Sequence, residues 1–494
     1  MAKQYILSID QGTTGSRAFI IDNKGAVVAS AYREFPQYFP HAGWVEHDAE
    51  EIWESVKTVI AQALRKARVP KDAIAAIGIT NQRETTILWD RKTSRPVGRA
   101  IVWQCRRTSA MCQRLKKHGA TFHQRTGLVL DPYFSGTKIA WMLENIKGLR
   151  QRARNGRICF GTVDSWLIWK LTGGVSHVTD MTNASRTLIF NIKNLDWDPA
   201  LMQILNIPAA ILPAVQNSGS IFGKTAKNIP GLPAGIPIAA VLGDQQAALY
   251  GQGCYDSGTA KNTYGTGCFL VLNTGKVIIR SKNGLLTTLA SDLQGRPVYA
   301  LEGSIFIAGA VIQWLRDQLK IISSAADCEA LIKDLKDNEG VYFVPAFVGL
   351  GAPYWDSDAK GVICGLTRGT DRRHLVRAAL ESMAYQTKDV FDLMKQELGR
   401  SPRMLRVDGG ACANNFLMQF QADLLNAKIL RPKNIDSTVL GVAHLAGIIA
   451  GIWKGKKDLE KLHRTDRIFS PKITNRERLD LYGGWLAAVE RAKS

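Results

Sequence analysis

Two places where a strand-like run gives way to a turn of glycine and threonine, one in each half of the chain, restrict the fold more than any other feature. The first is YILSID (5 to 10), an apolar run ending in an acid and continuing directly as DQGTTGSR (10 to 17). The second is NTYGTGCFLVLN, in which YGTGC (264 to 268) has the same setting. The two share only glycine and threonine, so the chain reads as two halves of related design, a distant duplication that sequence similarity alone does not establish. At 494 residues it is long enough for two large domains.

Around the first turn the pattern is that of an α/β domain. AFII (18 to 21) and AVVASA (26 to 31) predict two antiparallel strands about the turn Asp22-Asn23-Lys24-Gly25. From Ala49 to Arg68, Ile52, Trp53, Val56, Val59, Ile60, Ala63 and Leu64 recur at helical spacing with acids in the first turn, predicting an amphipathic helix. AIAAIGIT (73 to 80) predicts a strand running into polar NQRE, followed by a long helical and loop region through Leu171. The proline- and glycine-rich stretch from 207 to 237 reads as loops and short strands. IPIAAVLG, ending at Gly243, predicts a strand that delivers Asp244 to its tip or to the start of a helix.

Composition excludes several classes. The eight cysteines are scattered with no CxxC pair, which argues against a zinc site or a disulfide framework and for reduced thiols. The N-terminus reaches Asp10 before any signal-length apolar stretch, and Gly441 to Trp453 is too short to span a bilayer and is interrupted by His444; a cytoplasmic protein without membrane insertion is expected. The net charge of +21 would suit a polyanionic partner, yet the basic residues at Lys147, Arg150, Arg152, Arg154 and Arg157 carry no aromatic interleaving, so no nucleic-acid partner is expected. GSIFGKT (219 to 225) imitates a phosphate-binding loop but has three residues between its glycines, and no helix can follow in AKNIPGLPAG; it is read as a surface turn.

The turn chemistry points to phosphate. In DQGTTGSR, Gly12 and Gly15 permit close backbone approach, Thr13, Thr14 and Ser16 offer donors, and Arg17 brings a fixed positive charge. Asp10 could hold Mg²⁺ through water, since magnesium dehydrates reluctantly. DGGACANN (408 to 415) supplies a third such turn. The alternative for each is an ordinary polar turn, and for Asp244 a helix N-cap.

With these turns in order, the chain resembles the FGGY carbohydrate kinases over nearly its whole length. YFSGTKIAWMLEN (133 to 145) and GVICGLTRGTDRRHLVRAALE (361 to 381) look like the family's signature segments, while NQRETT (81 to 86), GDQQAALYGQG (243 to 253) and GLGAPYW (349 to 355) look like those of its glycerol-phosphorylating members. The resemblance implies an α/β fold of two actin-like (ribonuclease H-like) ATPase domains around a central cleft, residues 1–253 with the acceptor site and phosphate turn and 254–494 with the nucleotide site. It implies phosphorylation of glycerol with ATP and Mg²⁺, in glycerol catabolism and glycerolipid precursor supply, by a homodimer or homotetramer. Asp244 would be the general base, and Arg17 would offset charge on the phosphoryl group. Arg83, Glu84, Trp103, Tyr133, Asp244, Gln245 and Phe269 would bind glycerol. Thr13, Thr14, Ser16, Arg17, Thr266, Gly309, Gln313, Gly410 and Asn414 would bind the nucleotide, with Asp10 and Asp244 near the metal. Some bacterial relatives carry an arginine of a fructose-1,6-bisphosphate site before the IPI strand; Gly235 stands here, so that inhibition is not expected.

Two other readings compete. A kinase for another polyol, or for a sugar such as xylulose, would need a wider acceptor site. An actin-like ATP-binding switch would leave Asp244 and NQRE without a task.

Overall fold

Tyr5–Gln11 (β1) is buried along its entire length, which an alternating surface strand would not be. In the computed structural model, which describes residues 4–227, 229–356, 358–402 and 404–494, helices cover both faces of the sheet that contains it. Met1 to Lys3 of the N-terminal segment read above lie outside the described residues.

The first sheet comprises β1, Gly15–Asp22 (β2), Val27–Glu34 (β3), Ile74–Asn81 (β4), Gly223–Lys224 (β5) and Pro237–Gly243 (β6), in the order β5-β6-β4-β1-β2-β3. β1, β2 and β3 are antiparallel neighbours, as predicted, whereas β1, β4 and β6 run parallel. The pleat sends Tyr5, Leu7 and Ile9 to one face and Ile6 to the other. On the first face they meet Ala49–Ala67 (α1), capped by Asp48 accepting from the Glu50 N–H, and Val163–Leu171, here α3 after Ser135–Asn145 (α2). On the second face they meet Ser437–Ile449, labelled α9 below. That helix is the apolar stretch whose length argued against a membrane span; no described helix is long and apolar enough to cross a membrane. Met181–Ala184 (α4) and Asp244–Gly251 (α5) are two further helices of this unit.

The second sheet is built from Ala260–Tyr264 (β7), Cys268–Gly275 (β8), Leu286–Ser291 (β9), Pro297–Ile305 (β10), Met404–Asp408 (β11), Lys428–Pro432 (β12) and Thr465–Phe469 (β13), in the order β9-β10-β8-β7-β11-β12-β13. Its pairings repeat those of the first. β7 and β8 are antiparallel like β1 and β2, β7-β11-β12 are parallel like β1-β4-β6, and β12 and β13 are antiparallel like β6 and β5. The duplication suggested by two glycine-threonine turns is therefore present at the level of topology. Gly309–Asp317 (α6), Arg372–Leu398 (α7) and Asn415–Leu425 (α8) pack in this unit, α7 through a continuous buried face from His374 to Met394.

A single division at 253/254 does not describe the compact units. The first contains Met1–Tyr255 together with Thr287–Tyr299 and Ser437–Leu462, and the second Asp256–Leu286, Ala300–Asp436 and His463–Ser494. The reason is visible in α9: Ser8 on β1 donates its hydroxyl to the Val439 carbonyl at 2.9 Å, and Val439, Val442 and Ala446 join the core against Ile6, Ala76 and Leu242. GSIFGKT also differs from expectation. Gly223 and Lys224 form the outermost strand beside β6 and Phe222 is buried, though no helix follows them.

Candidate functional site

Register brings the sequence-predicted residues of the first unit together. Gln11, Asn81 and Gly243 lie side by side at the carboxyl ends of the parallel strands β1, β4 and β6. The chain leaving these ends supplies the Gly12-Thr13-Thr14 turn, the Arg83-Glu84 pair and Asp244. In open α/β sheets ligands bind outside the carboxyl ends of the strands.

The turn is held by its carbonyls. Gly12 C=O accepts from Gln11 Nε2 at 2.8 Å and Gln82 Nε2 at 3.2 Å, and Thr13 C=O accepts from Gln37 Nε2 at 2.8 Å. Since a trans peptide sets its N–H opposite its C=O, the Thr13 and Thr14 amides face away from these glutamines, as an anion-binding turn requires. His47, fully buried, supports the glutamines through its 2.8 Å contact with Gln37 Oε1, and burial pushes its pKa down to about 4, keeping the ring neutral. Arg17 faces Asp10 across β1 and β2, with Nε 3.0 Å and Nη2 2.5 Å from Oδ2. Ser16 departs from expectation: its hydroxyl is fully buried and shares a 2.7 Å hydrogen bond with Ser55 on α1, so it serves the core and not the turn surface.

Arg83 and Glu84, adjacent in the chain, are both withdrawn from solvent. They are 3% and 1% exposed, and Glu84 adopts a left-handed backbone, φ 60°, which a non-glycine residue holds only when its surroundings impose it. An alternating chain of charge runs through them. Arg186 Nε donates to Glu84 Oε1 at 2.6 Å, Glu84 Oε1 lies 3.7 Å from Arg83 Nε, and Arg83 Nε lies 3.2 Å from Asp244 Oδ1. Asp244 opens α5 without capping it, since Gly243 is the N-cap, and its side chain stays 34% exposed. A charged, partly solvated carboxylate beside a buried arginine can accept a proton from a ligand hydroxyl.

Apolar walls stand beside these charges. The indole N–H of Trp103 donates to Thr13 Oγ1 at 2.9 Å, which ties the aromatic wall to the turn. Tyr133 meets Trp103 edge-on, with ring centroids 5.6 Å apart at 71°. Below Tyr133, the fully buried Lys138 donates to the carbonyls of Tyr133 and Phe134; burial brings its pKa down to about 7, against the opposing influence of Glu84. Gln245 is buried next to Asp244 on α5, while Phe269 belongs to the second unit, half-buried on β8 opposite Thr263.

In the second unit the predicted nucleotide residues gather around the equivalent turn. Thr266 is exposed, and its carbonyl accepts from the N–H groups of Ala308 and Ala310 at 2.8 and 3.1 Å while Gly309 N–H donates to the Gly265 carbonyl at 3.0 Å. The turn thus docks on the start of α6. A Cβ at Gly309 would sit 2.6 Å from the Gly265 oxygen, so the position requires glycine. Gln313 is exposed one helical turn further on, within α6. Gly410 follows β11, with nothing within 4 Å of where a Cβ would be. Asn414 caps α8, accepting from the Leu417 N–H at 2.8 Å, which commits its oxygen and leaves its amide as the group it can offer.

Arg186, Lys138 and the α4 segment were missed by sequence reasoning. Arg186 stands in TNASRTLIF with no acid beside it; its partner Glu84 is 102 residues away, a pairing without local signal. Among the described residues no three histidine, cysteine, aspartate or glutamate side chains form a metal cluster. The basic stretch is partly bound within the fold, Arg152 to Asp90 at 2.8 Å and Arg150 to the Asn206 carbonyl at 2.6 Å. All eight cysteines are free thiols, and all but Cys364 are buried.

Twin α/β units with matching strand order and paired glycine-threonine turns define an actin-like ATPase architecture, and comparison with known proteins narrows it. The N-terminal domain of the FGGY family of carbohydrate kinases matches residues 5–251 and its C-terminal domain residues 260–450; the chain belongs to that family. It is 56% identical over 491 residues to glycerol kinase 2 of Thermotoga maritima, covering 99% of both chains. It is likewise 56% identical over 494 residues to the glycerol kinase of Petrotoga mobilis, covering 100% of this chain and 99% of that one. Among solved structures it is similar to Plasmodium falciparum glycerol kinase with ADP, with a TM-score of 0.93 at 37% identity, covering 99% of this chain and 98% of that one. A ligand-bound xylulose kinase from Lactobacillus acidophilus shares the fold, with a TM-score of 0.88 at 23% identity, covering 99% of this chain and 97% of that one.

Proposed function

We propose that this protein transfers the γ-phosphoryl group of ATP to a terminal hydroxyl of glycerol, giving sn-glycerol 3-phosphate and ADP. The observation that carries the reading is the Arg186–Glu84–Arg83–Asp244 chain, buried up to the partly exposed Asp244, beside Trp103 and Tyr133. It combines fixed donors and acceptors for hydroxyl groups with an aromatic wall for the carbons of a small triol. The full-length similarity to proteins named glycerol kinase supports the same substrate.

Asp244 is the general base. As the terminal hydroxyl oxygen bonds to the γ-phosphorus, its proton passes to the Asp244 carboxylate and the bond to the β-γ bridging oxygen breaks, leaving on ADP. Arg83 keeps the carboxylate oriented. Arg17 and the Thr13 and Thr14 amides offset charge on the phosphoryl oxygens, because positioning and electrostatics dominate phosphoryl transfer. Thr266, Gly309, Gln313, Gly410 and Asn414 bind the nucleotide, and Gln245 and Phe269 complete the glycerol contacts. Asp10 and Asp244, each already facing an arginine, suit a largely hydrated Mg²⁺ better than a metal needing a full protein ligand set. Mg²⁺ bound there with ATP would neutralise phosphate charge.

The test is ATP consumption by the purified protein with Mg²⁺ and glycerol, xylulose, gluconate or no acceptor. Turnover that requires glycerol is expected. Preference for another acceptor would reject the substrate and keep the mechanism, and acceptor-independent hydrolysis would favour an ATP-driven switch.

A further inference from the structure

α4 and its flanks lie behind the acceptor residues, and of them only Arg186, through its ion pair with Glu84, has a role assigned above. Asp180, fully buried, caps α4 and gathers five donors: the Thr182 N–H at 2.9 Å and hydroxyl at 2.6 Å, the Ser218 hydroxyl at 2.7 Å, and the Asn183 N–H at 2.9 Å and side-chain amide at 2.8 Å. That saturation fixes the two side chains that face the strand ends. Thr182 Oγ1 accepts the Gly243 N–H at 2.9 Å, at the residue before Asp244. Asn183 exchanges reciprocal amide hydrogen bonds of 3.0 and 3.1 Å with Asn81, two residues before Arg83. Three residues beyond Asn183, Arg186 reaches Glu84 and lies over the rings of Tyr133 and Phe134, its guanidinium carbon 5.5 and 5.2 Å from their centroids.

We propose that residues 180–186 are a positioning brace that sets the base and the hydroxyl-binding pair in one geometry, Thr182 through Gly243 for Asp244 and Arg186 through Glu84 for the acceptor. None of these residues touches the reacting atoms. The brace rests on the assignment of Asp244 and Glu84 to the acceptor site, and it explains two features that assignment leaves open. One is a fully buried arginine ion-paired with Glu84; the other is the left-handed backbone of Glu84, held between that pair and the Ser135 hydroxyl donating to the Glu84 carbonyl at 3.0 Å. A small misplacement of a reacting group is costly to phosphoryl transfer, so a brace of this kind acts on turnover more than on ATP binding.

The experiment compares Thr182→Val, Thr182→Ser and Arg186→Lys with the unsubstituted protein, reading kcat, KM for glycerol and KM for ATP. Valine keeps the shape of threonine but cannot accept the Gly243 N–H; serine can. The expected result is a loss in kcat of ~10-fold or more for Thr182→Val, recovered in Thr182→Ser, with KM for ATP unchanged. Arg186→Lys keeps the charge but not the planar fork, and a rise in KM for glycerol of ~10-fold or more is expected without a change in KM for ATP. This variant carries the test if Thr182→Val does not fold. Glycerol parameters unchanged in both, or glycerol and ATP parameters that deteriorate together, would overturn the brace. No glycerol-dependent turnover in the unsubstituted protein would overturn the substrate assignment as well, whereas turnover there with unaffected variants would overturn the brace alone.

Discussion

Asp244 is oriented by Arg83, and Arg83 retains Glu84 and the Gln246 amide oxygen, 3.2 Å from its Nη1, if Asp244 changes. Asp244→Asn is therefore expected to remove the base and little of the fold. Glycerol-dependent turnover should fall by ~100-fold or more with the melting temperature nearly unchanged, measured by coupled ADP release and scanning calorimetry. His47 makes a different prediction, about stability. The unfolded chain takes up a proton on this ring near the ordinary value of 6.5, which the folded chain resists until about 4. The contribution of neutral His47 is then complete above 6.5 and drains away as pH falls from 6.5 to 4. Chemical denaturation at stepped pH should show His47→Gln losing less stability over that window than the unsubstituted protein. Asp10, Arg17, Arg83, Glu84 and Asp244 were named as candidates by their motifs and by the family resemblance these carry. Arg186 was not, because a charge partner more than a hundred residues away leaves no periodic or motif signal.

At the scale of elements, close helix packing carries the acceptor site. Gly441 on α9 meets α5, and a Cβ there would lie 1.8 Å from the Ala247 carbonyl oxygen; at Gly251 it would lie 2.0 Å from the Ser437 oxygen. Since both obstacles are backbone, the helices must separate. Gly441→Ala is expected to destabilise the protein by about 1–3 kcal/mol or more. Turnover should also fall, because α5 begins at Asp244; urea denaturation and kinetics on one preparation check both. Gly309→Ala acts on the other unit, where the added methyl would press on the Gly265 carbonyl and move the turn bearing Thr266. A raised KM for ATP with a smaller effect on KM for glycerol is the expected outcome. Amphipathic periodicity gave α1 nearly to its ends, Ala49–Ala67 against a predicted 49 to 68. α9 was legible only as an apolar stretch too short for a membrane, since a helix buried on several sides has no polar face to reveal its partner.

At the scale of the whole molecule, each unit pairs its strands in the same sequence of directions, and neither contains a metal cluster among its described residues. Magnesium is then expected to matter to the reaction and not to the fold. Chelation with EDTA should abolish turnover, added Mg²⁺ should restore it, and the unfolding temperature of the nucleotide-free protein should not move. A drop in that temperature on chelation would reveal a structural metal and count against this account.

Residue type and spacing alone determined the strand-turn-strand junctions, the first amphipathic helix and the chemistry offered at the turns, because these are local: they depend on which side chains follow one another and on what glycine permits. Tertiary structure decided everything that depends on distant segments meeting. It placed Ser437–Leu462 in the first unit, turned Ser16 into the core instead of the phosphate turn, buried Arg83 and Glu84, and set Arg186 and Thr182 behind them. The physical reason is the same in each case. A charge or hydroxyl shows in the sequence what it can bond, whereas its burial and its partner are fixed only when strands and helices far apart in the chain exclude water around it.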